Sequence, residues 1–445
     1  MRTTEKFDWS FVLLYPYIMV AHVPWLGYRL QMRYTLPLAV LWVIIALSKK
    51  RKIRVPRKGV AYLIGALLFL VLYSGIGLLF FPFGHSDPLS YTEYAGIFQV
   101  SSFLIIFHLS VSNGRLRELR MLVLFCFVCL GISALSTIRG ELYIENASRM
   151  LTADTANAYD MIAALEAGTG SYGAVYGLGL VIFPLVYLMK FMPMALKLFF
   201  VFLIVVFLLA VYQAAYSICW IGIALAGAVY LVARLSGSLN AIRIFGMVAV
   251  AIMVCFVATP SLMKATLNPI MALSSLVGRE EYQSRILSVA DSVSGADQTY
   301  ADSRSERYWL SWDTFLKNPV FGIGKYDRMN NTLTDDVGGH SMIFDTLAES
   351  GIFGLSLLFL FFFCHYRYMK VMSAVVLGFR WWPAYYIFLF SAVAVAFINP
   401  LWGYLILNDL ILFIPALMLL GKGFVRSQEC MQAPGMPLAS RVQIR

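Results

Sequence analysis

Charge is scarce in this chain, and histidine more so. Asp, Glu, Lys and Arg make up 13% of its 445 residues, and only five histidines occur, at positions 22, 85, 108, 340 and 365. Set against 60% apolar residues, so little charge excludes an ordinary soluble domain, where about a quarter of residues are charged. Cysteine is sparse as well. Positions 126, 129, 219, 255 and 364 lie in or beside apolar runs, with Cys430 in the C-terminal segment, so no disulfide framework or zinc site is expected. The pair Cys126 and Cys129 reads as two small core residues. The G-x-x-x-x-G-K-[ST] loop, H-E-x-x-H, G-x-S-x-G and the dinucleotide fingerprint are all missing, which argues against ATP-driven transport, metalloproteolysis and hydride chemistry. Internal repeats, low-complexity runs and a detachable soluble domain are missing too.

What the chain does have is long apolar runs. Windows of about 20 apolar residues fall near 10–27, 34–48, 60–81, 95–112, 121–138, 172–189, 195–212, 217–233, 244–261, 341–363, 383–399 and 403–420. The expected fold is all-α, a multi-pass transmembrane helical bundle of about twelve spans. The first run lacks a small-residue cleavage site and a second span follows at once, so a retained helix is expected rather than a signal peptide.

Basic residues are unevenly placed. The run Lys49, Lys50, Arg51, Lys52, Arg54, Arg57, Lys58 falls between the second and third spans and sets that loop inside the cell. Both termini are then cytoplasmic, with 23 Lys and Arg against 4 Asp and Glu on inside segments and 12 against 20 on outside segments. The sequence pI of about 9.3 is thus a topology signal. Anionic lipid headgroups are the expected partner of the basic run, and nucleic acid is not.

One polytopic membrane domain, 1–421, is expected, followed by a disordered tail, 422–445. Two external segments are long, 139–171 and 262–340, the second lying between spans 9 and 10, and long loops in compact proteins tend to be functional or disordered. Spacing in 153–167 predicts a surface helix. In the second loop, Tyr308, Trp309, Trp312, Phe315 and Leu316 recur at three- and four-residue steps. They predict an amphipathic helix over 303–317, capped by Asp302 or Ser303 and ended by Asn318-Pro319.

The chemistry-bearing residues concentrate between 302 and 354. His340 follows Gly338-Gly339, a pair expected to leave the backbone free, and opens a span at its outer mouth. His108 and His365 sit at cytoplasmic span ends and are expected to be interfacial. Arg307 presents a guanidinium that forks two hydrogen bonds to a phosphate, Arg304 lies one turn earlier, and Trp309 and Trp312 share their helix. Asp345 and Glu349, four residues apart near the membrane boundary, are candidates for general acid or base. Asp327, Asp335 and Asp336 match no calcium-loop spacing, so no metal site is expected.

Three blocks in order carry a resemblance: Arg307 through Asn318-Pro-Val-Phe-Gly-Ile-Gly324, then Gly339-His340-Ser341, then Asp345 through Glu349-Ser-Gly351-Ile-Phe-Gly354. Together they resemble the signature of the bacterial O-antigen polymerase and ligase family. That resemblance implies a GT-C-like helical fold in the inner membrane and an active site on the outer face. It further implies an undecaprenyl-diphosphate-linked oligosaccharide as donor and another as acceptor, with no cofactor, metal or nucleotide sugar. A chain-length regulator and a flippase are the implied companions. Arg307 would grip the diphosphate and His340 would orient or activate the acceptor hydroxyl, with Ser341 beside it.

Ligases of the family carry a Ser-Arg pair at a mid-chain span mouth, where this chain has Tyr216-Ser217-Ile218. Either Arg149, Arg279, Arg285 or Arg304 would then supply the second cation, or the diphosphate is bound with fewer charges. The resemblance therefore implies a repeat-unit polymerase for O-antigen, capsule or exopolysaccharide, with a ligase as the alternative. A transporter of the lipid-linked units is the rival from another class, disfavoured because the polar load lies on one external face.

Overall fold

A computed structural model describes residues 7–80, 88–144, 147–151, 158–214, 216–258, 298–323, 337–339, 341–378, 380–399, 410–411 and 414–420. In chain order the helices are α1 (Leu14–His22), α2 (Pro24–Ser48), α3 (Arg57–Phe80), α4 (Pro88–Ser112), α5 (Leu116–Tyr143), α6 (Ala147–Met150), α7 (Ala158–Glu166) and α8 (Tyr172–Met189). They continue with α9 (Met194–Ala214), α10 (Ser217–Ser236), α11 (Leu239–Ala258), α12 (Gln298–Lys317), α13 (Met342–Met372), α14 (Trp382–Ile398) and α15 (Ile414–Leu417). No strand occurs among the described residues.

Five helical segments are long and apolar enough to cross a membrane: Arg57–Gly75, Leu116–Tyr143, Met194–Ala214, Ile218–Ser236 and Met342–Leu377. Shorter apolar helices occupy Trp9–His22, Tyr34–Ser48, Phe98–Ser112, Gly173–Met189, Leu239–Ile252 and Trp382–Ile398. The expected spans at 244–261 and 403–420 extend beyond the described residues, as do the tail 422–445 and most of the long loop 262–340. The helices pack into one apolar core, α3 against α13, α5 against α9, and α14 against α8, α10 and α11. Close approach has a residue-level cause in α8, where a Cβ on Gly179 would stand 2.5 Å from Cys219 Sγ. Cys126, Cys129, Cys219 and Cys364 are buried free thiols.

Polar contacts gather the helix ends into two sets. At one end Asp8 takes the Lys49 ammonium and the Ser10 hydroxyl, with Arg115 at 3.5 Å. The Lys52 and Ile53 N–H groups donate to the Ser112 carbonyl at 2.9 and 2.8 Å. Arg367 bonds the Tyr62 hydroxyl at 3.1 Å, and Arg243 bonds that of Tyr386 at 2.9 Å. Burial raises the Asp8 carboxyl, but the bonds from Lys49 and Ser10 outweigh it and hold it below its usual value.

His108 and His365 do not present their rings at the surface of the bundle. Both are buried, His108 3.2 Å from the Tyr368 hydroxyl and His365 3.5 Å from that of Tyr385, because tyrosines on α13 and α14 offer polar partners inside the bundle. At the opposite end lie α7, the start of α8, α12 and the start of α13.

Candidate active site

The amphipathic helix α12 is longer than its spacing predicts. It starts at Gln298, so Asp302 and Ser303 lie inside it rather than capping it, while its end at Lys317 before Asn318-Pro319 is as expected. Its buried stripe is Tyr308, Ser311 and Thr314. Tyr308 donates through its hydroxyl to the Ile398 carbonyl at 3.0 Å, and the Trp312 and Phe344 rings meet edge to face at 6.1 Å. Trp309 and Leu316 are exposed on the other side, and Arg307, one turn before Ser311, is exposed as well.

The Asn-Pro motif after α12 serves the architecture. Helix α13 breaks at Gly351, whose φ of 63° and ψ of −168° belong to a region essentially confined to glycine. Residues 318–323 cross the helix at that break. Ile352 N–H donates to Pro319 O at 2.9 Å, Phe353 N–H to Val320 O at 3.1 Å, and Ile323 N–H to Ala348 O at 3.0 Å. The break leaves backbone groups without intrahelical partners, and the crossing segment supplies them, as non-helical backbone at membrane depth requires. Gly322 and Gly351 allow the approach: a Cβ on Gly322 would stand 2.4 Å from the Glu349 carbonyl carbon, and one on Gly351 2.3 Å from Val320 O. Glu349 is half-buried beside this crossing.

A short strap, 337–339, lies across α12. Far from being free, Gly338 is buried, and a Cβ there would stand 2.0 Å from the Arg307 carbonyl oxygen. Its N–H donates to Ser311 Oγ at 2.8 Å, and Ser311 donates to Asp345 Oδ1 at 2.7 Å. Asp345 also accepts from Gly339 N–H at 3.2 Å and Ser341 N–H at 3.0 Å. Ser341 caps α13, its Oγ accepting from Phe344 N–H at 3.3 Å and donating to Ala396 O at 3.5 Å. Behind it, Met342 N–H donates to Asn399 O at 3.4 Å, and Asn399 Nδ2 donates to the Tyr176 hydroxyl at 2.6 Å. The Tyr176 ring is 5.9 Å from that of Tyr216, which is buried at the start of α10.

Of the residues singled out from sequence, the structure brings Arg307, Trp309, Trp312, Ser341, Asp345 and Glu349 to one end of the bundle, with Tyr216 at the rear of the same network. His340, Arg279 and Arg285, together with Asp327, Asp335 and Asp336, lie outside the described residues. Arg304 is on α12 and Arg149 on α6, but their side chains also lie outside them. Among the described residues no group of three His, Cys, Asp or Glu is placed to hold a metal. Sequence reasoning missed Ser311, Asn399 and Tyr176. Ser311 carried a signal, being a polar residue on the apolar stripe of an amphipathic helix, where a buried hydroxyl needs a partner. Asn399 carried another, closing an apolar run before Pro400.

This end of the bundle is where comparison with known families falls. Residues 216–359 match the family model for O-antigen ligase. The match takes in about a third of the chain's 445 residues and runs from Tyr216 through the Gly351 break. It therefore covers every described residue of the site except Tyr176 and the end of α14. The O-antigen ligase match bears out the resemblance read from Arg307 to Gly354 at the level of the polymerase and ligase family. No curated protein matches the chain. Five helices long and apolar enough to span, taken with this match, support a membrane protein of polysaccharide biosynthesis.

Proposed function

We propose that the protein is a glycosyltransferase that polymerises undecaprenyl-diphosphate-linked repeat units into O-antigen, capsule or exopolysaccharide. It acts on the outer face of the cytoplasmic membrane, as a GT-C-like bundle of about twelve spans with both termini inside. The observation that carries this reading is the seating of the strap against the Arg307 carbonyl, which joins two separate blocks of the resemblance at one end of the bundle. The other end carries Lys49, Lys52, Arg115, Arg243 and Arg367 in the contacts described above, as a cytoplasmic face should.

In transfer, the bond between the sugar's anomeric carbon and the diphosphate oxygen breaks, and the electron pair leaves with the diphosphate. The acceptor hydroxyl oxygen bonds to the anomeric carbon and gives up its proton. Arg307, exposed on α12, meets the negative charge that grows on the leaving group; a fixed cation there stabilises the transition state more than the ground state. His340 takes or directs the acceptor proton, since neutral imidazole serves as base near pH 7. Trp309 and Trp312 offer ring faces to sugar or lipid, and Arg149, Arg279, Arg285 and Arg304 are the candidates for a second cation. Glu349 is held near the site by the crossing at Gly351, on a span where a carboxylate is costly unless used.

A ligase that delivers finished glycan to a surface acceptor is the second reading, favoured by the description of the matching family. Glycan length decides between them. The gene is deleted and complemented with wild type, Arg307→Ala or His340→Ala at matched membrane levels, and the polysaccharide is resolved by gel. Single repeat units on their usual acceptor in both mutants, with a ladder in wild type, establish the polymerase. Long chains retained on lipid establish the ligase, and unchanged glycan in both mutants refutes both.

A further inference from the structure

Asp345 lies in the first turn of α13, buried, with both carboxylate oxygens engaged. Ser311 Oγ donates to Oδ1 at 2.7 Å and Gly339 N–H to the same oxygen at 3.2 Å, while Ser341 N–H donates to Oδ2 at 3.0 Å. The Ser311 oxygen accepts in turn from Gly338 N–H at 2.8 Å. Helix α12 and the later strap with the start of α13 thus meet on two side chains, Ser311 and Asp345. We propose that Ser311 and Asp345 form a latch that fixes the register of α12 and the strap on α13, and so positions Arg307 for glycosyl transfer.

Both are positioning residues that touch no substrate, which gives Asp345 a role other than general acid or base. The inference rests on the reading of Arg307 given above. Apolar contact alone does not set register, because it is non-directional; the rings of Trp312 and Phe344 would tolerate a slide that the hydrogen bonds forbid. Arg307 is four residues from Ser311 and therefore one turn along the same face. A slip of a single residue would move it about 1.5 Å along the helix axis.

The strap is held from both partners at once, Gly338 by Ser311 and Gly339 by Asp345, and the chain resumes on Asp345 at Ser341. Aspartate suits the place because it only accepts. The amide nitrogen of asparagine would face one of the N–H donors.

The test uses full-length protein in lipid nanodiscs with undecaprenyl-diphosphate-linked repeat units isolated from a strain lacking the gene. Ser311→Ala, Asp345→Asn, the double variant, Ser311→Thr and Arg307→Ala are compared for kcat, KM and backbone amide exchange. A misplacement of about 1 Å costs on the order of 10²-fold. Asp345→Asn and Ser311→Ala are accordingly expected to lower kcat by roughly that factor with KM for the lipid-linked unit little changed. The double variant should be no slower than Asp345→Asn alone, because residues of one unit do not act additively. Ser311→Thr, which keeps the hydroxyl, should restore most of the rate.

In Asp345→Asn the amides of Gly339 and Ser341 should exchange faster while those of α5 keep their protection. The latch is overturned if the two single losses multiply in the double variant, or if those two amides exchange as in wild type. It is also overturned, with the proposed function left standing, if both single variants turn over at the wild-type rate while Arg307→Ala does not. Full activity in Arg307→Ala rejects the proposed function and, with it, the latch's part in transfer.

Discussion

Replacing Gly351 with alanine tests the interlock between the Asn-Pro segment and the broken helix α13. Two costs add. The first is conformational: at φ 63° and ψ −168° a side chain occupies a region essentially closed to residues other than glycine, a strain of about 1–3 kcal/mol. The second is steric. The new Cβ would lie 2.3 Å from Val320 O, 2.4 Å from Val320 C and 2.6 Å from Phe321 N, all backbone atoms that no rotamer change can move aside. The crossing segment must therefore withdraw, taking with it the bonds from Ile352 to Pro319, Phe353 to Val320 and Ile323 to Ala348. Hydrogen bonds contribute about 0.5–1.5 kcal/mol each, so losing two or three costs about 1–4 kcal/mol.

Together the two costs come to about 2–7 kcal/mol, a large share of a stability of about 5–15 kcal/mol. Gly339→Ala is the control. Its φ is 69°, but a Cβ there would meet nothing within 4 Å among the described residues, so the left-handed backbone cost of about 1–2 kcal/mol is the one expected. Thermal denaturation of detergent-solubilised protein, followed by the monodisperse fraction on size exclusion, should rank wild type, Gly339→Ala and Gly351→Ala in falling order. Gly322→Ala should fall with Gly351→Ala, since its Cβ would press on the backbone of Ala348, Glu349 and Ser350. If Gly351→Ala melts with wild type, or no lower than Gly339→Ala, the crossing does not hold the break and the reasoning fails.

Three further outcomes are expected from the same structure. Asn399→Ala removes the donor to the buried Tyr176 hydroxyl and should destabilise by about 1–3 kcal/mol, with Asn399→Ala/Tyr176→Phe recovering part of the loss in the same melting assay. Gly179→Ala should lower the melting temperature because its Cβ would stand 2.5 Å from Cys219 Sγ, and Cys219→Ala should rescue it, whereas an unrescued loss would place the clash elsewhere. The Asp8 carboxyl is held below its ordinary value, so its contribution is present above the unfolded carboxylate range, about pH 4, and is lost as pH falls through the lowered folded value. Melting temperature against pH should therefore drop less steeply on the acid side in Asp8→Asn than in wild type, and equal slopes would contradict the assignment.

The parts of the fold legible in the sequence were those set by local pattern. Helix α12 followed from Tyr308, Trp312 and Phe315 at helical steps and from the stop at Asn318-Pro319. Its extension back to Gln298 was hidden because the residues from 298 to 303 carry no apolar stripe, only the absence of a breaker. The same blindness shortened α2: hydropathy began the span at 34, whereas the helix begins at Pro24, since the polar residues Arg29, Gln31 and Arg33 dilute an apolar window without interrupting a helix. Partners across the bundle were not legible at all. Nothing local to His365 shows that Tyr385 will stand 3.5 Å away, and nothing local to Gly338 shows that it will press on Arg307.

Such cross-bundle pairing also divides the labour within the motif. Gly322 and Gly351 are glycines because two backbones cross there, Asn318-Pro319 ends one helix so that its carbonyls can serve the break in another, and Ser341 and Asp345 hold a strap. These residues are answerable to backbone geometry, and a different sugar substrate would make no demand on them. Arg307 and Trp309 differ in kind: both are exposed on α12, where burial supplies no reason for an arginine or an exposed indole. Under the proposed function, a motif built in this way separates a frame common to any glycan from the exposed residues of α12 that would meet the substrate. Changes of specificity are then expected at those exposed residues and in the loop 262–340, and losses of folding at the two glycines.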